Sequence, residues 1–133
     1  MNEESYDNET GARRLSMIEF VRTEDPDGAD KLEMLLKKQD ALKAGNVYGE
    51  RFTARQFSLV FDPLLKRAFE RSRILENLGR NPSSVPQLAR DLDLAPNIVF
   101  DHIKELARRD RVEIAGYDDR DALYRRKWHD EGR

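Results

Sequence analysis

No cysteine occurs anywhere in the chain, so a disulfide framework, a thiolate metal site and a thiol nucleophile are all excluded. That usage agrees with a reducing cytosol. Histidine is nearly as scarce: His102 and His129 are the two present, too few for a histidine-rich metal cage. No apolar run approaches the ~20 residues needed to span a membrane, and the opening MNEESYDNET has neither the basic nor the apolar part of a signal peptide. The expectation is a cytoplasmic chain with no membrane contact. Also missing are a glycine-rich phosphate loop, a G-x-S-x-G elbow and a paired-carboxylate arrangement with a distinctive context. An enzyme is therefore not expected, and neither is a cofactor or a metal.

What is present is charge. Hydrophobic and charged residues each make up 38% of the 133 residues, a balance that suits one small, well-solvated, largely helical domain with appendages. The net charge of -2 argues against a strongly basic nucleic-acid coat. Its distribution is uneven, however. Residues 1–63 hold 9 Lys/Arg against 13 Asp/Glu, a net -4, whereas residues 64–133 hold 15 against 13, a net +2. An anionic partner is better sought in the second half.

Residues 1–28 are polar and acidic and contain a breaker, TEDPDG, at Thr23–Gly28. They read as a mobile acidic arm in which only Leu15–Val21 has the makings of a short strand or helical turn. From Asp30, a capping pair with Glu33 opens an amphipathic helix of about four turns carrying Leu32, Leu35, Leu36 and Leu42, which stops at Gly45-Asn46. Lys37, Lys38 and Lys43 occupy its other, solvated side. Thr53 and Gln56 form a second capping pair before a short helix with Phe57, Val60 and Phe61. Asp62-Pro63 then predicts a fresh helix start, running to Gly79 with Leu65, Phe69, Ile74, Leu75 and Leu78 turned inward. Residues 29–63 thus form a helical extension, a candidate dimer or partner interface.

The most informative stretch is SVPQLARDLDLAPNIVFDHIKEL, Ser84–Leu106. Ser84 and Gln87 make a capping box, and Val85, Leu88, Ala89 and Leu92 face inward. Ala89 is small where two helices must cross closely. Asp93 falls where the turn needs a left-handed residue, and aspartate tolerates that conformation. Leu94 plugs the core from the turn. Pro96 suits the first turn of the next helix, from which Val99, His102, Ile103 and Leu106 continue inward. The coordination of these positions specifies a helix-turn-helix.

At Val112 the period changes from helical to alternating. VEIAG and ALYRRK read as two strands across YDDRD, with Val112 and Ile114 on one side of the first and Leu123 and Tyr124 in the second. The fold class expected is mostly α with a small β-hairpin: a winged helix-turn-helix over residues 64–127, with an N-terminal helical extension and a tail at 128–133. On the residues SVPQLARDLDLAPNIVFDHIKEL, Val112 and LYRRK, this half of the chain resembles the winged helix-turn-helix of bacterial and archaeal transcription regulators, nearest the ArsR-like (arsenic-repressor-type) group. His102 stands where that group often has a histidine in its recognition helix.

The resemblance implies a homodimer that binds double-stranded DNA, the second helix in the major groove and the wing on the backbone or minor groove. Carried over by position, the contacts are Gln87, Ala95, Pro96, Asn97, Phe100, Asp101 and Lys104 on the motif and Arg120, Arg125 and Lys127 on the wing. Arg108 and Arg109 also end the recognition helix, where basic residues complement the helix dipole without DNA. A C-terminal dimer helix has no room after the wing, so the dimer interface is expected from the N-terminal helices, with the Leu32–Leu42 stripe and Phe57 and Phe61 available. The same residues can instead pack within the chain.

Three features favour a different use of the fold, as a protein-docking subunit or adaptor of a larger assembly that does not bind DNA: the acidic N-terminal half, Phe100 beside Asp101, and the aspartate-rich wing tip. Phe100 stands where that group usually has a small or hydroxyl residue. Asp101 meets phosphates as a negative charge, although aspartate can accept a hydrogen bond from a cytosine amino group. Asp118, Asp119 and Asp121 surround Arg120 at the wing tip; they lack the glycine and glutamate of a calcium loop and read as a solvated turn. Asp110 and Arg111 replace an expected glycine and an expected apolar residue after the helix, the first tolerating the left-handed conformation and the second able to snorkel. His102 reads as a neutral, hydrogen-bonded core residue rather than a ligand.

Overall fold

A computed structural model of the chain describes the backbone of residues 3–44 and 53–128, with side chains over 9–39 and 53–128. The described residues form five helices and one hairpin: α1 Glu3–Glu24, α2 Pro26–Ala44, α3 Ala54–Arg80, α4 Val85–Leu92, α5 Pro96–Arg108, β1 Val112–Asp118 and β2 Asp121–Arg126. The fold is mostly helical with an antiparallel hairpin directly after the last helix, the layout of a winged helix. The chain divides into two compact units, Met1–Phe69 and Glu70–Arg133.

In the first unit the mobile arm expected over residues 1–28 is replaced by α1 and the start of α2. Ile18 and Val21, three residues apart on one helix face, are fully buried with Ala29, Leu32, Phe57, Phe61 and Leu65. That burial stabilises a segment whose composition alone would leave it unfolded. Arg14 extends the same face. Its guanidinium lies over the Phe61 and Phe57 rings, at 5.2 and 5.5 Å, donates to Ser58 Oγ at 2.8 Å and pairs with Asp62 at 3.1 Å. A buried arginine satisfied in this way packs as an amphipathic core residue.

The helix expected from Asp30 starts at Pro26 instead. Asp25 caps it, accepting from the Gly28 N–H at 3.1 Å, and a Cβ at Gly28 would collide with that carboxylate. Asp30 and Glu33 are not a cap; both pair with Arg22, at 2.5 and 3.2 Å. The side chain of Leu42 and the stop at Gly45-Asn46 lie outside the described residues, as does His129.

The break expected at Asp62-Pro63 does not occur: α3 runs continuously through Pro63. Thr53 and Gln56 form the expected capping box at its start, at 2.8 and 3.0 Å. Phe57, Phe61 and Leu65 recur every four residues on its buried face. An uninterrupted helix keeps all three in the core, while exposed Pro63 costs one hydrogen bond on the outer side. Leu32, Phe57 and Phe61, expected to be available for an interface between copies, are spent inside this unit.

The second unit has its own core: Ile74, Leu75 and Leu78 of α3, Leu88, Ala89 and Leu92 of α4, Val99, Ile103 and Leu106 of α5, and Val112 of β1. Leu94 and Tyr124 pack against it, as the turn and wing residues should. Ser83, between α3 and α4, adds a third short rung to the hairpin. Its N–H donates to the Tyr124 carbonyl at 3.0 Å and its carbonyl accepts from the Tyr124 N–H at 2.8 Å. Val112 enters the core, whereas Ile114, expected on the same side, is exposed. The register slips between Ile114 and Gly116, leaving Ala115 as a bulge, a feature that increases the local twist of a strand pair.

Candidate nucleic-acid interface

Each boundary of the helix-turn-helix is held by identifiable hydrogen bonds. Ser84 Oγ accepts from the Gln87 N–H at 3.3 Å and Gln87 Oε1 accepts from the Ser84 N–H at 2.9 Å, so the predicted capping box is present. At the other end of α4, Asp93 adopts the left-handed conformation (φ 54°, ψ 51°), and the Leu94 N–H closes on the Ala89 carbonyl at 3.0 Å. The same device ends α5. Asp110, at φ 61°, donates to Ala107 O at 3.0 Å and Arg111 donates to Leu106 O at 2.8 Å. Aspartate thus fills both positions where glycine is commonest, as the sequence implies.

With Val99, His102, Ile103 and Leu106 buried, the outer face of α5 consists of Asn97, Phe100, Asp101, Lys104 and Arg108. Exposed Ala95 and Pro96 stand at the helix start. Phe100 is 46% exposed, and Ile98 beside this face 37%. Lys104 Nζ lies 3.3 Å from Asp101 Oδ1 and 5.0 Å from the centroid of the Phe100 ring. The three side chains therefore make one cluster at positions i, i+1 and i+4, with the lysine bridging a carboxylate and an aromatic face.

The structure brings Pro96, Asn97, Phe100, Asp101 and Lys104 together on one helix. Arg120 projects from the tip of the wing, in the tight turn after Asp119 (φ 58°). Arg125 and Lys127 lie along and just beyond β2. Gln87 differs from the others: it is half-buried, with its side-chain oxygen committed to the capping box.

Sequence reasoning missed how the basic residues are matched. Arg125 donates twice to Glu113 Oε2, at 2.6 and 2.9 Å, because the hairpin register places these residues opposite each other. Lys127 pairs with Asp110 at 2.5 Å, and this hydrogen bond raises the lysine pKa. Glu105 holds both Arg108 and Arg109, at 2.5 and 2.8 Å. The hydrogen bond from Arg108, followed by that from Arg109, lowers the Glu105 pKa to about 2 and raises that of Arg108. The i, i+3 and i+4 spacings around Glu105 were available in the sequence; the pairings of Arg125 and Lys127 required the strand register.

Trp128, which the sequence reading passed over as tail, is 69% exposed. Arg126 stacks on its ring at 4.1 Å, and its edge lies 3.5 Å from where a Cβ on Gly79 would stand.

His102 is buried as expected. The Arg71 Nε–H donates to Nδ1 at 3.3 Å, and Nε2 hydrogen-bonds Glu70 Oε1 at 2.9 Å. The ring thus ties α5 to α3. Asp118, Asp119 and Asp121 are exposed at the wing tip, and among the described residues no group of three or more His, Cys, Asp or Glu side chains gathers to hold a metal. Among them, too, no helix is long and apolar enough to cross a membrane. No protein-family model, curated protein or solved structure matches the chain.

Proposed function

We propose that this chain is a DNA-binding transcriptional regulator, cytoplasmic, that occupies a duplex operator with α5 in the major groove and the β1–β2 wing on the backbone. The observation that carries the reading is the complete winged-helix unit with the outer face of α5, Asn97 to Lys104, left out of its core. The ion pairs on the wing do not oppose it strongly. Exposed pairs of this kind contribute little to stability, so Arg125 and Lys127 can exchange Glu113 and Asp110 for phosphate oxygens at little cost.

In this reading the regulator is a homodimer, as the resemblance implies, and helix-turn-helix dimers bind two half-sites about 34–36 Å apart. With Leu32, Phe57 and Phe61 committed internally, the dimer face falls to Leu59, Val60 and Leu64, the apolar stripe that α3 leaves exposed. The test is binding of the purified protein to labelled duplex from upstream of its own gene, against random duplex, over a salt series. Binding that outlasts the random competitor and weakens steeply with salt supports the reading. Equal binding to both duplexes, lost by physiological salt, refutes it.

A second reading, a protein-docking module, is favoured by the pairing of Lys104, Arg125 and Lys127 with carboxylates and by the exposure of Phe100 and Tyr117. Under it, Phe100→Ala and Asp101→Ala damage partner binding; under the first, Lys104→Ala and Arg125→Ala damage DNA binding.

A further inference from the structure

We infer that the Phe100–Asp101–Lys104 cluster is a pyrimidine reader, with Phe100 contacting the C5 methyl of thymine and Asp101 accepting from the exocyclic amino group of cytosine. The inference rests on the proposed DNA reading and deepens it by assigning the bases. A carboxylate on a groove-facing helix is repelled by every nearby phosphate unless a cation stays with it. Lys104 supplies that cation, 3.3 Å from Asp101, and its ammonium is at the same time held 5.0 Å from the Phe100 centroid. It therefore supplies the counter-ion that lets Asp101 face the groove. What the helix can then offer a base edge is an aromatic ring, 46% exposed, and a carboxylate whose side chain is 67% exposed.

In the major groove these match two groups, both on pyrimidines. An apolar side chain is complementary to the thymine methyl, and an acceptor-only side chain to the cytosine N4 amino group. Adenine also carries an exocyclic amine, but beside the N7 acceptor, which a carboxylate meets as repulsion; guanine presents acceptors alone. Asn97, one turn earlier on the same face, is free to bond either kind of edge.

The experiment is selection of the full-length protein on a random duplex pool, followed by equilibrium binding to the enriched sequence. Each thymine in that sequence is then replaced by deoxyuridine, which removes the methyl and keeps every hydrogen-bonding group. One such replacement is expected to weaken binding about fourfold, the value of one buried methyl-sized contact. Phe100→Ala should bind with no difference between the two duplexes. Asp101→Asn, which adds a donor and so matches adenine, should shift the preferred base at one position from cytosine to adenine.

Phe100 and Asp101 lie on the solvent face, so neither variant disturbs the core. An enriched sequence whose affinity is unchanged by every deoxyuridine, or whose uridine sensitivity survives Phe100→Ala, overturns the pyrimidine assignment and leaves the DNA reading standing. A pool that converges on no sequence overturns both.

Discussion

Replacing His102 by alanine tests the buried contact that ties α5 to α3. His102 and Glu70 side chains are 6% and 10% exposed, and the Nε2–Oε1 distance is 2.9 Å. Removing the imidazole leaves the Glu70 carboxylate in the interior without that donor. Breaking a buried polar or ionic pair from one side costs about 3–5 kcal/mol; Arg71, already on the far side of the ring, can partly replace the lost donor and brings the expected cost to about 3 kcal/mol.

The double replacement Glu70→Leu with His102→Leu removes the carboxylate along with its partner and is expected to lie within about 1 kcal/mol of the parent. Urea unfolding followed by tryptophan fluorescence reads the second unit alone, because Trp128 is the one tryptophan of the chain and stacks on Arg126 within that unit. At about 1 kcal/mol per molar urea, the single variant should lose about 3 M in midpoint, and the double variant at most about 1 M. A single variant indistinguishable from the parent, or a double variant as damaged as the single, would refute the assignment of that hydrogen bond.

Ser84→Ala should cost about 1 kcal/mol in the same assay. Ser84→Ala with Gln87→Ala should cost less than the sum of the single changes, since both break one capping box. The Glu105 carboxyl, followed by NMR against pH, should titrate near 2 rather than the ordinary 4.5, and Arg108→Ala should raise it. Its folded-state pKa is lowered, so its contribution to stability is present above pH 4.5 and is lost as pH falls toward about 2. Because Glu105 holds Arg108 through exposed contacts, high salt should move the titration back toward the ordinary value. Leu59→Glu with Val60→Glu should convert the proposed dimer to monomer in sedimentation velocity with unchanged helical content; a variant that sediments as the parent does argues against this face.

The second unit was largely legible in the sequence because its determinants are local. Ser84 and Gln87 are three apart, Asp93 and Asp110 announce their own backbone conformation, and Leu88, Leu92, Val99 and Ile103 follow one helical period each. The Ser83–Tyr124 bridge was not, since it joins residues 41 apart with no pattern near either.

In the first unit α1 was missed because its buried face is completed by Arg14, a residue that a hydropathy pattern assigns to water. The two Asp-Pro pairs show how tertiary burial overrides a local signal. Asp25-Pro26 starts a helix, whereas Asp62-Pro63 lies inside one because the Phe57, Phe61 and Leu65 face spans it. On α5 and the wing, which positions face solvent was legible in the sequence and their ion pairing was not: Glu113 opposes Arg125 only through the register of the hairpin.

The most direct test of the central claim is amide chemical-shift mapping of the labelled protein during titration with the selected duplex. The largest changes are expected at Asn97, Phe100, Asp101 and Lys104, with a second group at Arg120 in the wing turn. Changes centred instead on Leu59, Val60 and Leu64, with the α5 amides unmoved, would contradict it.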